Sequence, residues 1–525
     1  MNHQIQIELN KKPELKKYVF YKSFLVTTKP VDLNNTFPLY DNFSMTEIDS
    51  YYFYVHKEAK LNFYKNETLT LFILGHCYNP FTMQVQEEEI LEYIAKESVK
   101  KPIQSLIDEL TGVFVIGYIK NGELFYQVDP SGMQSACSGM VNNEFYLSSH
   151  FQLIGDLLNL KRSDYVEKLI NYKWYYRVMG PYLPADLTAF NEIKRIVPNI
   201  EYHYNKITIQ HKRFYPLQNI QGVKSKEEYA NVIQQASDIL KNNMQLIIQK
   251  WNKPRISLTG GIDSNTTFAC ANGLYDKIES FSYLSAHKET IDVEAAEKIS
   301  KEFKVPHKLY TIKEKNEDYP NFDLIKAIID HNNGYVAKGK DHEYRKRVAL
   351  MQEFDGDVEV KSWVSETIRC YWYKHYGRKS MPKLSSKLYR NLYKIFIFNR
   401  PLALETDKVF KQYIQDFEYD KVPAMYPAAD LHYNEVTWGS WGGLNISEMR
   451  IYSEITFVYN NRIFLDLLFR IPLLDRIEDK HHLAMKKVLN KQLYDMNIRV
   501  VNMHETKMRA FLLNVIFTIN MLLPF

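Results

Sequence analysis

Two kinds of hydrophobic spacing divide the chain. From Tyr51 to about Tyr215 short apolar runs alternate with turns, and the pattern predicts mainly strands. Leu69-Thr70-Leu71-Phe72-Ile73-Leu74-Gly75 predicts a buried strand, and Gly112-Val113-Phe114-Val115-Ile116-Gly117-Tyr118 another. Asn121-Gly122 supplies a hairpin turn into Glu123-Leu124-Phe125-Tyr126-Gln127-Val128, and Glu144-Phe145-Tyr146-Leu147-Ser148 adds a further strand. Between them Ile90, Leu91 and Ile94 share one face of a helix expected over Glu87 to Glu97.

Beyond a polar connector around Pro216 to Ser225 the rhythm changes. A long helix is expected over Glu227 to Gln249. Strand and helix then alternate: Arg255 to Leu258, Thr266 to Ala271, Glu279 to Leu284, Asp292 to Phe303 and His307 to Ile312. That alternation predicts a parallel sheet covered by helices. From about Asn321 onward the pattern is mostly helical, with a basic, polar segment between Arg369 and Arg400. The fold class expected is α/β and α+β, with a sheet-rich domain over 1–215 and a nucleotide-binding domain with a helical lobe over 216–525.

Composition narrows the function. A net charge of +5 over 525 residues is mild and makes no case for nucleic acid as the main partner. Cys77, Cys137, Cys270 and Cys370 lie far apart and form no CxxC pair, so neither a zinc knuckle nor a disulfide framework is expected. Met1 to Lys17 is polar, unlike a secretory signal, and the expected setting is a reducing cytoplasm. The apolar stretch from Ala510 to Phe525 is too short to span a membrane and is interrupted by Asn514 and Asn520. It reads better as a buried or interfacial helix.

The stretch that carries chemistry is Arg255-Ile256-Ser257-Leu258-Thr259-Gly260-Gly261-Ile262-Asp263-Ser264. A strand runs into two glycines, an Asp-Ser pair and a helix. The glycines let backbone N–H groups approach an anion, and the helix start adds free donors and partial positive charge. Asp263 offers an oxygen ligand for magnesium. No lysine follows the glycines, so this is not a Walker A loop. The G-x-G-x-x-G dinucleotide fingerprint is absent too. What remains is the S-G-G-x-D-S type, with Thr259 in place of the first serine.

On these residues the chain resembles the asparagine synthetase family over most of its length. Leu258 to Ser264 resembles that family's pyrophosphate-binding loop. Ser280-Phe281-Ser282-Tyr283-Leu284, then Asp292, Ala295, Ala296 and His307, resembles its second strand and helix. Glu454 and Arg462-Ile463-Phe464-Leu465-Asp466 with Ile471-Pro472 resemble its helical lobe, and Lys480-His481-His482-Leu483 its K-Y-x-L-R motif. In the first half, Leu74-Gly75-His76-Cys77-Tyr78-Asn79, Leu110-Thr111-Gly112-Val113-Phe114, Asp129-Pro130-Ser131-Gly132 and Leu147-Ser148-Ser149 resemble the class II glutaminase domain of N-terminal-nucleophile type.

The resemblance implies ATP and Mg²⁺ as cofactors. ATP would contact Leu258, Thr259, Gly260, Gly261, Asp263, Ser264, Tyr283 and Leu284. Lys480 would stabilise the reacting phosphate, with Glu366 as a catalytic base and Asp263 and Glu366 as metal ligands. Departures from the pattern shape the expectation. The family's glutaminase cysteine is replaced by Asn2, and the asparagine of its N-G pair by Leu74. In the acidic segment, here Lys361-Ser362-Trp363-Val364-Ser365-Glu366-Thr367, only Glu366 survives, and Asn461 stands where an aspartate is usual. Glutamine hydrolysis is then lost, as in β-lactam synthetases and lasso-peptide cyclases. The expected activity is amide formation through an acyl-adenylate, with a peptide or small-molecule carboxylate and an amine, free ammonia or a separate glutaminase as partners. The alternative is a non-catalytic nucleotide-binding or regulatory protein of the same fold. A tRNA-modifying enzyme with this loop is a weaker third reading, since no basic RNA surface stands out.

Overall fold

The computed structural model describes residues 3–33, 39, 41–176, 180–337, 339–396, 399–498, 500 and 507–523. Two six-stranded antiparallel sheets fill the first part of the chain. One runs Ile193–Arg195, Cys137–Val141, Glu144–Ser148, Phe24–Thr27, Tyr51–His56 and Phe43–Ile48 across its width. The other runs Ile209–Arg213, Ile200–Tyr204, Glu123–Val128, Thr111–Lys120, Thr70–Tyr78 and Leu61–Lys65.

Strand alternation explains the layering. In Thr70–Tyr78 the side chains of Leu71, Ile73 and Cys77 point to one face and meet Ile90, Leu91 and Ile94 of the helix Glu87–Glu97. Phe72, Leu74 and Tyr78 point to the other face and join the main core, where Phe72 meets Phe53 of the facing sheet edge-on at 5.1 Å. The order is therefore helix, sheet, sheet. Asn121 and Gly122 both take positive φ (55° and 73°), as a tight hairpin turn of the expected kind requires. The glutaminase-like expectation placed a reacting group at position 2, but Asn2 lies outside the described residues. The first strand begins at Phe24, after the helix His3–Lys11 and the short turn Pro13–Tyr18.

After the helix Lys226–Lys250 comes a five-stranded parallel sheet in the order His307–Thr311, Glu279–Leu284, Pro254–Ser257, Val358–Lys361, Glu454–Phe457. The last two strands were not expected from the sequence. Each is four residues long within otherwise helical surroundings. Glu454, expected in the helical lobe, instead opens the edge strand. The remainder is helical, and includes a π-helical stretch at His432–Gly442. Among the described residues no helix is long and apolar enough to cross a membrane.

Buried polar groups tie the two sheet systems together. Asp129 accepts from the backbone N–H groups of Ser131, Met133 and Gln134 and from Asn460 Nδ2 at 2.7 Å. Asn461 caps the helix Arg462–Phe469 through its Oδ1 and donates to the Glu109 carbonyl at 2.9 Å, so its role is structural. Arg213, at the end of an antiparallel strand, forms a two-pronged pair with Glu435 of the π-helical stretch at 2.7 and 2.9 Å. Both side chains are wholly buried. Asn199 and Tyr419 complete the hydrogen bonding of that carboxylate.

Removing one partner leaves the other charge buried and unpaired. Glu435→Gln should therefore lower the free energy of unfolding by about 3–5 kcal/mol in urea titrations. The double replacement Arg213→Met with Glu435→Leu should recover much of that loss. A single-variant cost below about 1 kcal/mol would show that the pair is not the clamp described.

Candidate active site

The loop strand Pro254–Ser257 ends at the centre of the parallel sheet, and Leu258 to Gly261 turn directly into the helix Ile262–Ala269. The helix starts earlier than the sequence pattern predicts, so Asp263 and Ser264 lie in its first turn. By helix geometry the N–H groups of Ile262, Asp263 and Ser264 have no acceptor one turn back within the helix. Gly260 is required by packing: a Cβ there would lie 2.1 Å from the Val500 side chain. Gly261 is different. A Cβ there would meet only the Thr259 hydroxyl within 4 Å, and its backbone conformation is open to any residue.

The loop is braced from inside. Ser264 Oγ accepts from Thr259 N at 3.2 Å and shares a 2.9 Å hydrogen bond with Thr259 Oγ1, which accepts in turn from Gly261 N. Gly260 N donates to Asp292 at 3.0 Å. The two hydroxyls expected to grip phosphate thus hold the turn in shape. A cavity of about 270 Å³ opens beside them, with Leu258, Thr259, Gly261, Asp263, Ser264 and Tyr283 in its wall. Leu284 lies outside that wall, and its carbonyl accepts from Ile312 N at 2.9 Å. Lys346 stands over the Tyr283 ring at 3.6 Å, and Lys361, paired with Glu359 at 2.6 Å, also lines the wall.

Asp263 is the centre of a charge array that the sequence did not reveal. Its Oδ1 accepts from Ser365 Oγ at 2.6 Å, and its Oδ2 pairs with Arg369. Arg369 also engages Asp479 through Nε at 2.8 Å and Nη2 at 3.1 Å, and Lys374 pairs with the same aspartate. Burial opposes the charge of Arg369, but Asp263 and Asp479 outweigh it and hold its pKa up. Burial likewise disfavours ionised Asp479, yet Arg369 and Lys374 hold it well below the usual carboxylate range. His482 lies 3.5 Å from Asp263, too far for a strong hydrogen bond, and burial keeps its imidazole neutral. His481 and His482 are both buried, with ring centroids 4.5 Å apart.

The expected catalytic pair separates. Glu366 joins the site: it lines both the loop cavity and a larger one of about 950 Å³ that shares Thr259, Gly261 and Asp263. Its Oε2 is shielded from solvent and has no hydrogen-bond partner among the described residues. Burial first, then the nearby charge of Asp263, pushes its carboxyl up to about 8. Val364, two residues earlier, holds φ at 79°. This strained conformation for a branched side chain starts the helix Ser365–Ile368 and sets Ser365 against Asp263. Lys480 does not join. Its side chain is 55% exposed and pairs with Asp475 at 2.8 Å and Glu478 at 2.9 Å on the surface. Its neighbour Asp479 faces inward, where Lys374 pairs with it.

The two expected metal ligands are engaged otherwise in this structure. Both oxygens of Asp263 are engaged, one by a guanidinium, and Glu366 holds its proton near neutrality. The described residues contain no group of three or more His, Cys, Asp or Glu side chains arranged to hold a metal ion. Where a divalent cation on Asp263 was expected, Arg369 provides the positive charge. These residues do not fit a resident magnesium ion.

Aromatic rings build the far wall of the large cavity. Trp363 stacks on Trp438 at 5.5 Å and lies 5.3 Å from Trp441, and Tyr371 stacks on Tyr433 at 4.6 Å. Tyr433, Trp438 and Trp441 all come from the π-helical stretch, whose wide turns are recurrent at functional sites.

No family model and no curated protein matches the chain. Solved structures similar to it include glutamine phosphoribosylpyrophosphate amidotransferase from B. subtilis complexed with ADP and GMP, at 10% identity and a TM-score of 0.22. That match covers 70% of this chain and 75% of the other. A structure described as the allosteric regulatory enzyme of purine biosynthesis is similar at 10% identity and a TM-score of 0.24, over 68% and 74%. Glutamine-dependent NAD+ synthetase from Acinetobacter baumannii with ADP is similar at 10% identity and a TM-score of 0.17, over 36% and 38%. Likenesses this distant assign no activity to this chain.

The raised pKa of Glu366 has a measurable consequence. Between its ordinary value of 4.5 and about 8 the folded state binds more protons than the unfolded chain. This carboxyl therefore costs stability as pH rises through that window. Glu366→Gln should match wild type near pH 4 and exceed it at pH 9 by roughly 1–3 kcal/mol in urea titrations. Parallel stability profiles for the two proteins would contradict the assignment.

Proposed function

We propose that the chain is an ATP-dependent, amide-forming synthetase of asparagine synthetase type, with a glutaminase-like half (1–215) that no longer hydrolyses glutamine and a synthetase half (216–525). The observation that carries this reading is the strand–Gly-Gly–helix turn at the C-terminal end of a central parallel strand. It opens onto a cavity with cations gathered at its floor. Such a turn presents N–H donors and a helix start to phosphate oxygens. In this reading a carboxylate oxygen attacks the α-phosphorus of ATP and the α–β P–O bond breaks. The electron pair leaves with pyrophosphate, whose charge is met by the loop N–H groups and by Arg369 and Lys374. An amine then attacks the acyl-adenylate carbonyl and AMP departs. Glu366, which lines the loop cavity, would take the amine proton in its ionised form, a form that its raised pKa makes scarce below about pH 8.

The first half supports loss of glutamine hydrolysis. Leu74 is buried where the resemblance implies an asparagine, and Cys77 and Cys137 are buried with their thiols pushed well up by desolvation. The nitrogen would then come from ammonia or from an amine on the substrate. A second reading, nucleotide binding without turnover, draws support from Arg369 engaging Asp263 where the catalytic resemblance implies a metal.

Exchange of labelled pyrophosphate into ATP in the presence of candidate acids separates the two. Exchange is expected for a synthetase, whereas ATP binding without exchange would favour the second reading. Gly261→Val tests the shared premise. A Cβ there meets only the Thr259 hydroxyl, at 3.3 Å, so the melting temperature should fall by no more than a few degrees, while ATP affinity should fall at least about tenfold as the phosphate seat fills. Unchanged affinity would remove the loop from both readings.

A further inference from the structure

The helix Lys507–Leu522 leaves an apolar face uncovered. Met508, Phe511, Leu512, Val515, Ile519 and Leu522 are 75, 65, 55, 41, 52 and 78% exposed. At 100° per residue they form one arc about 100° wide running the length of the helix. The opposite side is anchored: Phe517 is fully buried against Tyr376 at 4.5 Å, and Asn520 is buried beside it in sequence register. The exposed arc is therefore a fixed feature of the folded chain.

Exposed basic side chains flank it. Residues 376–400 contain seven Lys and Arg and no Asp or Glu, and the helix itself carries Lys507 and Arg509 and no acid. The stretch from Gly377 to Lys387 lies along one flank of the helix, whereas Arg390 and Lys394 are buried and Arg390 faces Asp407. Arg378 donates to Asn514 at 2.7 Å and to Thr518 at 3.1 Å, Gly377 abuts Ala510, and Lys387 donates to the Leu523 carbonyl. Lys379 and Lys383 are exposed beside it, as are Lys507 and Arg509 on opposite sides of the arc.

We propose that this face docks on an anionic membrane surface, with the apolar arc entering the interfacial region and the basic rim meeting lipid phosphates. An apolar stripe flanked by cations is the pattern of an interfacial helix. A second copy of the chain would bring the same cations against one another, so charge complementarity favours lipid. Arg509 and Ala510 also line the large cavity, and docking would hold its mouth at the bilayer surface. This inference is independent of the catalytic reading.

Co-sedimentation of the full chain with vesicles tests it. More than half of the protein should pellet with phosphatidylcholine–phosphatidylglycerol vesicles (roughly 70:30) at physiological salt, and under about a tenth with phosphatidylcholine alone. The triple replacement Phe511→Ser, Leu512→Ser, Ile519→Ser changes only exposed positions. It should keep the wild-type melting temperature and weaken pelleting at least about fivefold. Lys379→Glu with Lys383→Glu should weaken it similarly. Failure to pellet with anionic vesicles, or pelleting unaffected by the triple replacement, would overturn the proposal. So would a concentration-dependent dimer in light scattering, abolished by the triple replacement, in the absence of vesicle binding.

Discussion

The ion pair between Arg369 and Asp263 sets the terms for the whole site. Asp263 stands in the first turn of the helix that follows the glycine loop, with its carboxylate beside the cavity floor. Arg369 reaches it from the segment after the fourth strand of the sheet and grips Asp479 with its other edge. A guanidinium between two carboxylates satisfies all three groups in a setting where any one alone would be costly to bury. It also fixes the positions of Ser365, Glu366 and Lys374, which come from the same segment. The strained Val364 turn is held within this arrangement.

The two halves are built as one body around buried polar clamps. Arg213 with Glu435, Asp129 with Asn460, and Asn461 with the Glu109 carbonyl each join a first-half strand or loop to a second-half element. Glu435 belongs to the same π-helical stretch as Tyr433, Trp438 and Trp441. The clamp on the first half therefore also positions the aromatic wall of the cavity. The sheet pair thus braces the site, whatever chemistry it carries itself.

Much of this was legible locally. Glu123–Val128, Glu144–Ser148, Glu279–Leu284 and the helix Glu87–Glu97 fall where alternation or a 3.6-residue period places them, because each buries one face. The glycine loop was legible because its residues are contiguous. The strands Val358–Lys361 and Glu454–Phe457 were not: four residues carry too little period, and their pairing depends on partners about a hundred residues away. The same holds for the charge array, whose members are separated by 106 and 110 residues. At Asp479-Lys480 the resemblance pointed to the lysine, while the backbone at Asp479, with φ of 59°, starts the helix so that the aspartate turns inward. The only advance signal for Arg369 and Lys374 was the basic stretch they open.

If Arg369 is the resident cation of the loop, nucleotide affinity does not depend on a divalent metal held by Asp263. Calorimetric titration of ATP into the full chain, once with excess EDTA and once with magnesium, tests this most directly. The account expects dissociation constants within about threefold of each other, and a loss of at least about tenfold in EDTA for Arg369→Ala that Arg369→Lys partly restores. Binding that vanishes in EDTA and returns with magnesium, or that is indifferent to Arg369→Ala, would contradict it.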